Sequence, residues 1–148
     1  MSTYTQIIYQ IVFGTKYREN SLDKKNRDEL YKYITGILQK KQCHVYQIGG
    51  VEDHIHIVTH VHPSVALAAL VKDIKMASTD YIKQENLFPS FNGWQNGYGA
   101  FTYTIKEKDR LVEYVKQQEE HHHKMTFREE YVAILKAHQI EYDEQYLL

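Results

Sequence analysis

The chain has 148 residues, 43% of them hydrophobic and 25% charged, with a net charge of −1. That length can bury a core without staples, the ordinary composition excludes wholesale disorder, and the near-zero charge gives no global drive towards nucleic acid. One cysteine, Cys43, excludes an internal disulfide and fits a reducing cytoplasm. No apolar run approaches the roughly 20 residues that span a bilayer, and the N-terminus lacks the basic and long apolar regions of a signal peptide. With no repeat, low-complexity tract or Pro/Gly/Ser linker, residues 1–148 are expected to form one domain. Charge is unevenly spread. Lys16, Arg18, Lys24, Lys25, Arg27, Lys40 and Lys41 crowd the first third, and acids dominate after Glu107, so a locally basic face is compatible with the neutral sum.

Taken in order, residues 4–14, "YTQIIYQIVFG", are aromatic and β-branched and predict a strand. A helix follows over "SLDKKNRDELYKYITGILQKKQ", with Ser21 as N-cap and Leu30, Tyr33, Ile34, Ile37 and Leu38 on one stripe. "CHVYQIGG" and "HIHIVTHV" predict two strands close enough to form a hairpin. Pro63 then stops the strand, and Ser64 caps a helix from about Val65 to Gln84. "NLFPSFNGWQNGYG" reads as a loop and "AFTYTI" as a strand. Residues 107–123 predict one polar helix, and a last helix runs from Thr126 to about Gln139. The order β-α-β-β-α-β followed by helices is the α+β, ferredoxin-like (RRM-like) arrangement, an antiparallel sheet with two helices on one face.

In "EDHIHIVTHVHP" (52–63), His54, His56, His60 and His62 share one face of a strand. His54 and His56 would lie about 7 Å apart, close enough to converge on one ion, whereas His60 is about 20 Å from His54 at roughly 3.3 Å per residue. The four are therefore at most two pairs. A His-x-His pair equally describes a solvated strand face, and spacing alone does not decide between the two.

Tyr114 and Gln118 stand four apart on the polar helix and so share a face. Of thirteen tyrosines, Tyr114 alone has a glutamine four residues later. An amphipathic helix with a core tyrosine and a surface glutamine would look the same. The chemistry that would join them to the histidines is specific. A phenol, with an ordinary pKa near 10, is a poor nucleophile until activated. Phosphate bound to a cation is a suitable electrophile, and a glutamine oxygen beside imidazoles suits Mg²⁺ or Mn²⁺ better than a closed zinc site. A covalent phosphotyrosine would conserve the energy of the broken bond and permit strand transfer.

Five segments, in order, resemble the HUH-superfamily transposases with a single catalytic tyrosine, which mobilise small bacterial insertion sequences as single strands. "TKYR" (15–18) is similar to the family's motif after the first strand, and "EDHIHIV" to its His-x-His strand. "VKDIKMASTDYI" resembles its second-helix signature, "GWQNGYGAFTYT" the segment entering its last strand, and "EYVKQQEEHH" its catalytic helix.

The resemblance implies that Tyr114 is the nucleophile, forming a 5′-phosphotyrosine and freeing a 3′-OH. It implies that His54, His56 and Gln118 bind a divalent metal, Mg²⁺ or Mn²⁺, and that Lys16, Arg18, Lys72 and Lys75 face DNA. The implied partners are single-stranded DNA with hairpins at the element ends and a second copy of the chain, in which Tyr114 could serve the partner's histidines in trans. A cytoplasmic, nucleoid-associated bacterial enzyme without membrane attachment is expected. Tyr17, Trp94 and Tyr98 are candidates for base stacking, each equally suited to core or turn packing. No role is assigned to His60 or His62, Asp53 either tunes or transiently joins the metal or is a turn residue, and "HHHK" (121–124) reads as a solvated helix end. Two alternatives stand beside this reading: a replication-initiator or relaxase-type nickase, and a non-catalytic or domesticated nucleic-acid-binding module of the same fold.

Overall fold

The computed structural model describes residues 2–147. Four strands, β1 (Ile8–Gly14), β2 (His44–Gly50), β3 (His54–His60) and β4 (Gly99–Tyr103), form one sheet in the order β2-β3-β1-β4. All its pairings are antiparallel. Helices α1 (Lys24–Lys40) and α2 (Leu67–Gln84) connect the strands in the ferredoxin-like manner. Three further helices follow β4: α3 (Lys108–Lys116), α4 (Gln118–His121) and α5 (Phe127–Ala137).

The strand period sorts side chains onto two buried faces. Ile11, Phe13, Ile55 and Ile57 pack with Leu30, Ile34 and Leu38 of α1 and Leu70 and Ile74 of α2. On the opposite face Ile8 and Val58 meet Leu111 and Val115 of α3, and Val12 and Phe101 meet Phe127, Tyr131 and Leu135 of α5. Covering both faces buries β3 almost throughout. His54 and His56 are fully buried, so the solvated-face reading of that pair does not hold.

Boundaries differ from the sequence expectation where local groups find other partners. α1 starts at Lys24, not after a Ser21 cap, because the N–H groups of Ser21 and Leu22 donate to the Glu52 carbonyl at 3.1 and 2.9 Å. α2 starts at Leu67 because Ser64 is engaged with His62 Nδ1, 2.6 Å from its hydroxyl. β1 takes up pairing only at Ile8.

The expected helix over 107–123 is interrupted at Gln117, whose N–H is shared between the carbonyls of Glu113 and Tyr114 at 3.2 Å each. Beyond the break Glu119 is held by Arg27 of α1, Nη2 to Oε1 2.7 Å, and by Lys24 at 3.0 Å. Arg27, itself buried, also donates to the Leu22 carbonyl.

α3 lies against β2 at Gly49, where an added Cβ would collide with the backbone carbonyl of Val115. Backbone cannot give way as a flexible side chain can. Gly49→Ala should therefore cost about 1–3 kcal/mol, the range for overpacking, seen as a lower urea midpoint with an unchanged slope.

A buried site around one carboxylate

The face of the sheet beneath α3 and α5 carries a polar cluster. His54 Nδ1 lies 2.7 Å from Asp53 Oδ1, and His56 Nδ1 lies 2.7 Å from Gln10 Oε1. The Gln10 amide in turn donates to the Tyr103 hydroxyl at 2.7 Å. An acceptor behind each Nδ1 fixes the ring and turns its Nε2 inward, as in metal-binding histidines. Asp53 is thus the outer partner of His54. The His54 ring stacks on Phe127 at 3.9 Å between centroids, and Arg18 lies 5.5 Å from that same phenyl centroid.

Both Nε2 atoms meet Glu130 of α5, which is 1% exposed. Glu130 Oε1 lies 3.3 Å from His54 Nε2, 3.1 Å from His56 Nε2 and 2.9 Å from His122 Nε2. Its Oε2 accepts from the Gln118 amide at 3.0 Å and from the Tyr114 hydroxyl. Gln118 Oε1 points back at His54 Nε2, 3.2 Å away. The break at Gln117 lets Gln118 enter this cluster while Glu119 turns to Arg27. Tyr114, Gln118, His54 and His56 are therefore brought together within one chain. Among the described residues, His54, His122 and Glu130 form the His/acid group able to hold a metal ion, with ligand atoms within 4.8 Å of one another.

Electrostatics follow from these contacts. Burial would raise the Glu130 carboxyl, but hydrogen bonds from His122, His54 and His56 outweigh it and hold the group far below the carboxylate range. Burial pushes His54 down, yet its bonds to Asp53 and Glu130 carry it above its ordinary value; for His56 burial prevails and the value falls. Tyr114 is pushed well up by burial and then by the charge of Glu130. Its hydroxyl is therefore protonated at neutral pH.

Of the expected DNA contacts, Lys72 and Lys75 lie apart from this cluster and Arg18 at its edge. Lys16 and Lys72 are exposed, and Lys72 lines a 540 Å³ cleft between α2 and the loop 94–98. Lys75 lines it too, but its ammonium donates to the carbonyls of Gln95 at 2.9 Å and Gly97 at 2.6 Å. Arg18 sits over Phe127 at the site's edge. Trp94 belongs to the core, donating to Ser78 Oγ at 2.9 Å and packing edge-on against Phe13. Tyr17 is 82% exposed on a left-handed turn, φ 57°. His60 accepts from the N–H of Ile7.

Four members of the cluster escaped the sequence reading: Gln10 and Tyr103 behind His56, and His122 and Glu130. His122, taken as part of a solvated helix end, is instead aimed at Glu130. Glu130 left a readable signal. It falls on the buried stripe Phe127, Glu130, Tyr131, Leu135 of α5, where a charge has no place unless it is paired.

A family model described as transposase, IS200-like, matches residues 3–118. The chain belongs to the IS200-like transposase family. It is thereby a member of a family of DNA-processing enzymes, and the match ends at Gln118, before α5. No curated protein matches this IS200-like sequence. Among solved structures, a Deinococcus radiodurans protein assigned as a transposase superimposes with a TM-score of 0.63 at 20% identity, covering 80% of this chain and 95% of that one. A REP-associated tyrosine transposase bound to a REP hairpin superimposes with a TM-score of 0.58 at 14% identity, covering 79% and 72%. At such identities the likeness is one of fold. Among the described residues no helix is long and apolar enough to cross a membrane.

The cluster predicts a pH signature. Glu130 has a folded value below its ordinary 4.5, so its stabilisation is present above that pH and is lost as pH falls through the folded value. His54 has a folded value above its ordinary 6.5, so its stabilisation is present below that pH and is lost as pH rises. Glu130→Gln removes the first of these groups and a charged partner of the second. The gap in melting temperature between wild type and Glu130→Gln should be widest between about pH 4.5 and 6.5 and narrow on either side.

Proposed function

We propose that this transposase cleaves and rejoins single-stranded DNA at hairpin-marked ends of a mobile element, through a 5′-phosphotyrosine on Tyr114. The observation that carries the reading is the convergence of the Tyr114 hydroxyl, the inward Nε2 atoms of His54 and His56, and Gln118 on one buried spot. The family and the hairpin-bound neighbour support the choice of DNA substrate.

Two imidazoles backed by fixed acceptors and a hard amide oxygen fit a divalent cation such as Mg²⁺ or Mn²⁺. His54, His56 and Gln118 would hold it, and it would neutralise charge on the scissile phosphate and on the departing oxygen. Tyr114 supplies the nucleophile. Its oxygen forms a bond to phosphorus, the bond from phosphorus to the 3′ oxygen breaks, and the phenolic proton is balanced by the one gained at the released 3′-OH. Attack by a 3′-OH on the phosphotyrosine reverses these changes and rejoins the strand. Because burial and Glu130 hold the phenol protonated, the reaction depends on positive charge brought beside it. Lys16, Arg18 and Lys72 would contact the DNA, and Lys75 would hold the loop 94–98 that walls the cleft.

Within one chain Tyr114 already lies beside its own histidines. We therefore infer that the nucleophile acts in cis.

Incubation with Mg²⁺ and labelled single strands carrying hairpin ends should give a covalent protein–DNA band, lost by at least a hundredfold in Tyr114→Phe and in His54→Ala. A band persisting in Tyr114→Phe contradicts the nucleophile. Mixing Tyr114→Phe with His54→Ala should restore no cleavage; recovery on mixing would show that two chains share a site.

A further inference from the structure

Beyond the three ligands already given, the cluster contains an acid that the proposed reaction leaves without a task. Glu130 is almost completely buried and makes five polar contacts. It comes from α5, outside the residues matched by the family model. α5 is firmly seated. Phe127 stacks on His54, Tyr131 and Leu135 lie in the core, and Thr126 and Glu129 form a capping box at its start.

A carboxylate this far from water requires positive charge close by, from protons on the imidazoles or from a metal. Its distances fit both. Donors about 2.1–2.2 Å from an octahedral ion lie about 3 Å from their neighbours around it. The separations of Glu130 Oε1 from His54 and His56 Nε2, 3.3 and 3.1 Å, and of Gln118 Oε1 from His54 Nε2, 3.2 Å, are of that size. They serve as hydrogen bonds when protons lie between the atoms, and as edges of a coordination shell when an ion replaces those protons. Imidazole nitrogen, amide oxygen and carboxylate oxygen together form a donor set suited to Mn²⁺ or Mg²⁺.

We propose that Glu130 is a further protein ligand of the metal held by His54, His56 and Gln118, and that it links metal to nucleophile. Oε1 joins the coordination shell, while Oε2 keeps its hydrogen bond from Tyr114 and orients the hydroxyl. This rests on the metal reading given above. It adds a ligand supplied by α5, whose Oε1 also meets His122 Nε2 at 2.9 Å, and makes Glu130 a positioning residue for Tyr114.

The test is Mn²⁺ binding without DNA, followed by electron paramagnetic resonance on wild type, Glu130→Gln and His54→Ala. The proposal expects Glu130→Gln to weaken Mn²⁺ binding tenfold or more and His54→Ala to weaken it at least as much. If Glu130→Gln binds within threefold of wild type, or more tightly, while His54→Ala has lost the ion, Glu130 is no ligand and the three-ligand site stands. If His54→Ala binds as wild type does, the metal reading falls and the proposal with it. The wild-type protein crystallised with Mn²⁺ provides a second measurement that does not depend on the stability of the glutamine variant. A Glu130 oxygen about 2.2 Å from the ion supports the assignment, and a carboxylate outside the ion's shell overturns it.

Discussion

Three imidazoles, an amide and a phenol gathered on one carboxylate, away from water, are stable only as a set. Each would be costly to bury alone, since an unpaired buried polar group loses its hydration with no return. Together they are satisfied, and that mutual need constrains the second layer of the fold. α3 must present Tyr114, the break at Gln117 must turn Gln118 inward, and α5 must bring Glu130 over β3. The apolar contacts of Val115 and Phe127 with the sheet fix where these helices lie; the polar cluster selects their rotation and register.

The ferredoxin-like half of the chain serves as a platform for this layer. Its sheet offers one face to α1 and α2 and the other to α3, α5 and the polar cluster, with Gly49 allowing the backbone of α3 to come close. Arg27 carries the platform's influence across to the site. From α1 it holds Glu119, the neighbour of Gln118, and it also lies 3.5 Å from Glu52, two residues before His54. The neighbour of Gln118 and the segment leading into the histidine strand are thus tied to one buried guanidinium.

Much of this was legible in the sequence. Strand and helix order followed from hydrophobic period, and spacing limited the four histidines to two pairs. Tyr114 and Gln118 stood out as a single i, i+4 pair. What spacing could not show was burial on the second face of the sheet, because period-two alternation vanishes when both faces are covered. The break at Gln117 has no propensity signal of its own; it comes from tertiary ties on Glu119. His122 was hidden within a run of three histidines, where composition suggests solvent. Glu130 stands beside a second glutamate, Glu129, and only the apolar stripe of Phe127, Tyr131 and Leu135 marks it as the buried one.

The phenolic oxygen of Tyr114 is the proposed point of attachment to DNA, and mass spectrometry of the digested covalent adduct tests this most directly. The nucleotide remnant should be found on the peptide containing Tyr114, joined through a 5′ phosphate. A remnant on Tyr103, Tyr17 or any other tyrosine, or one joined through a 3′ phosphate, would contradict the account.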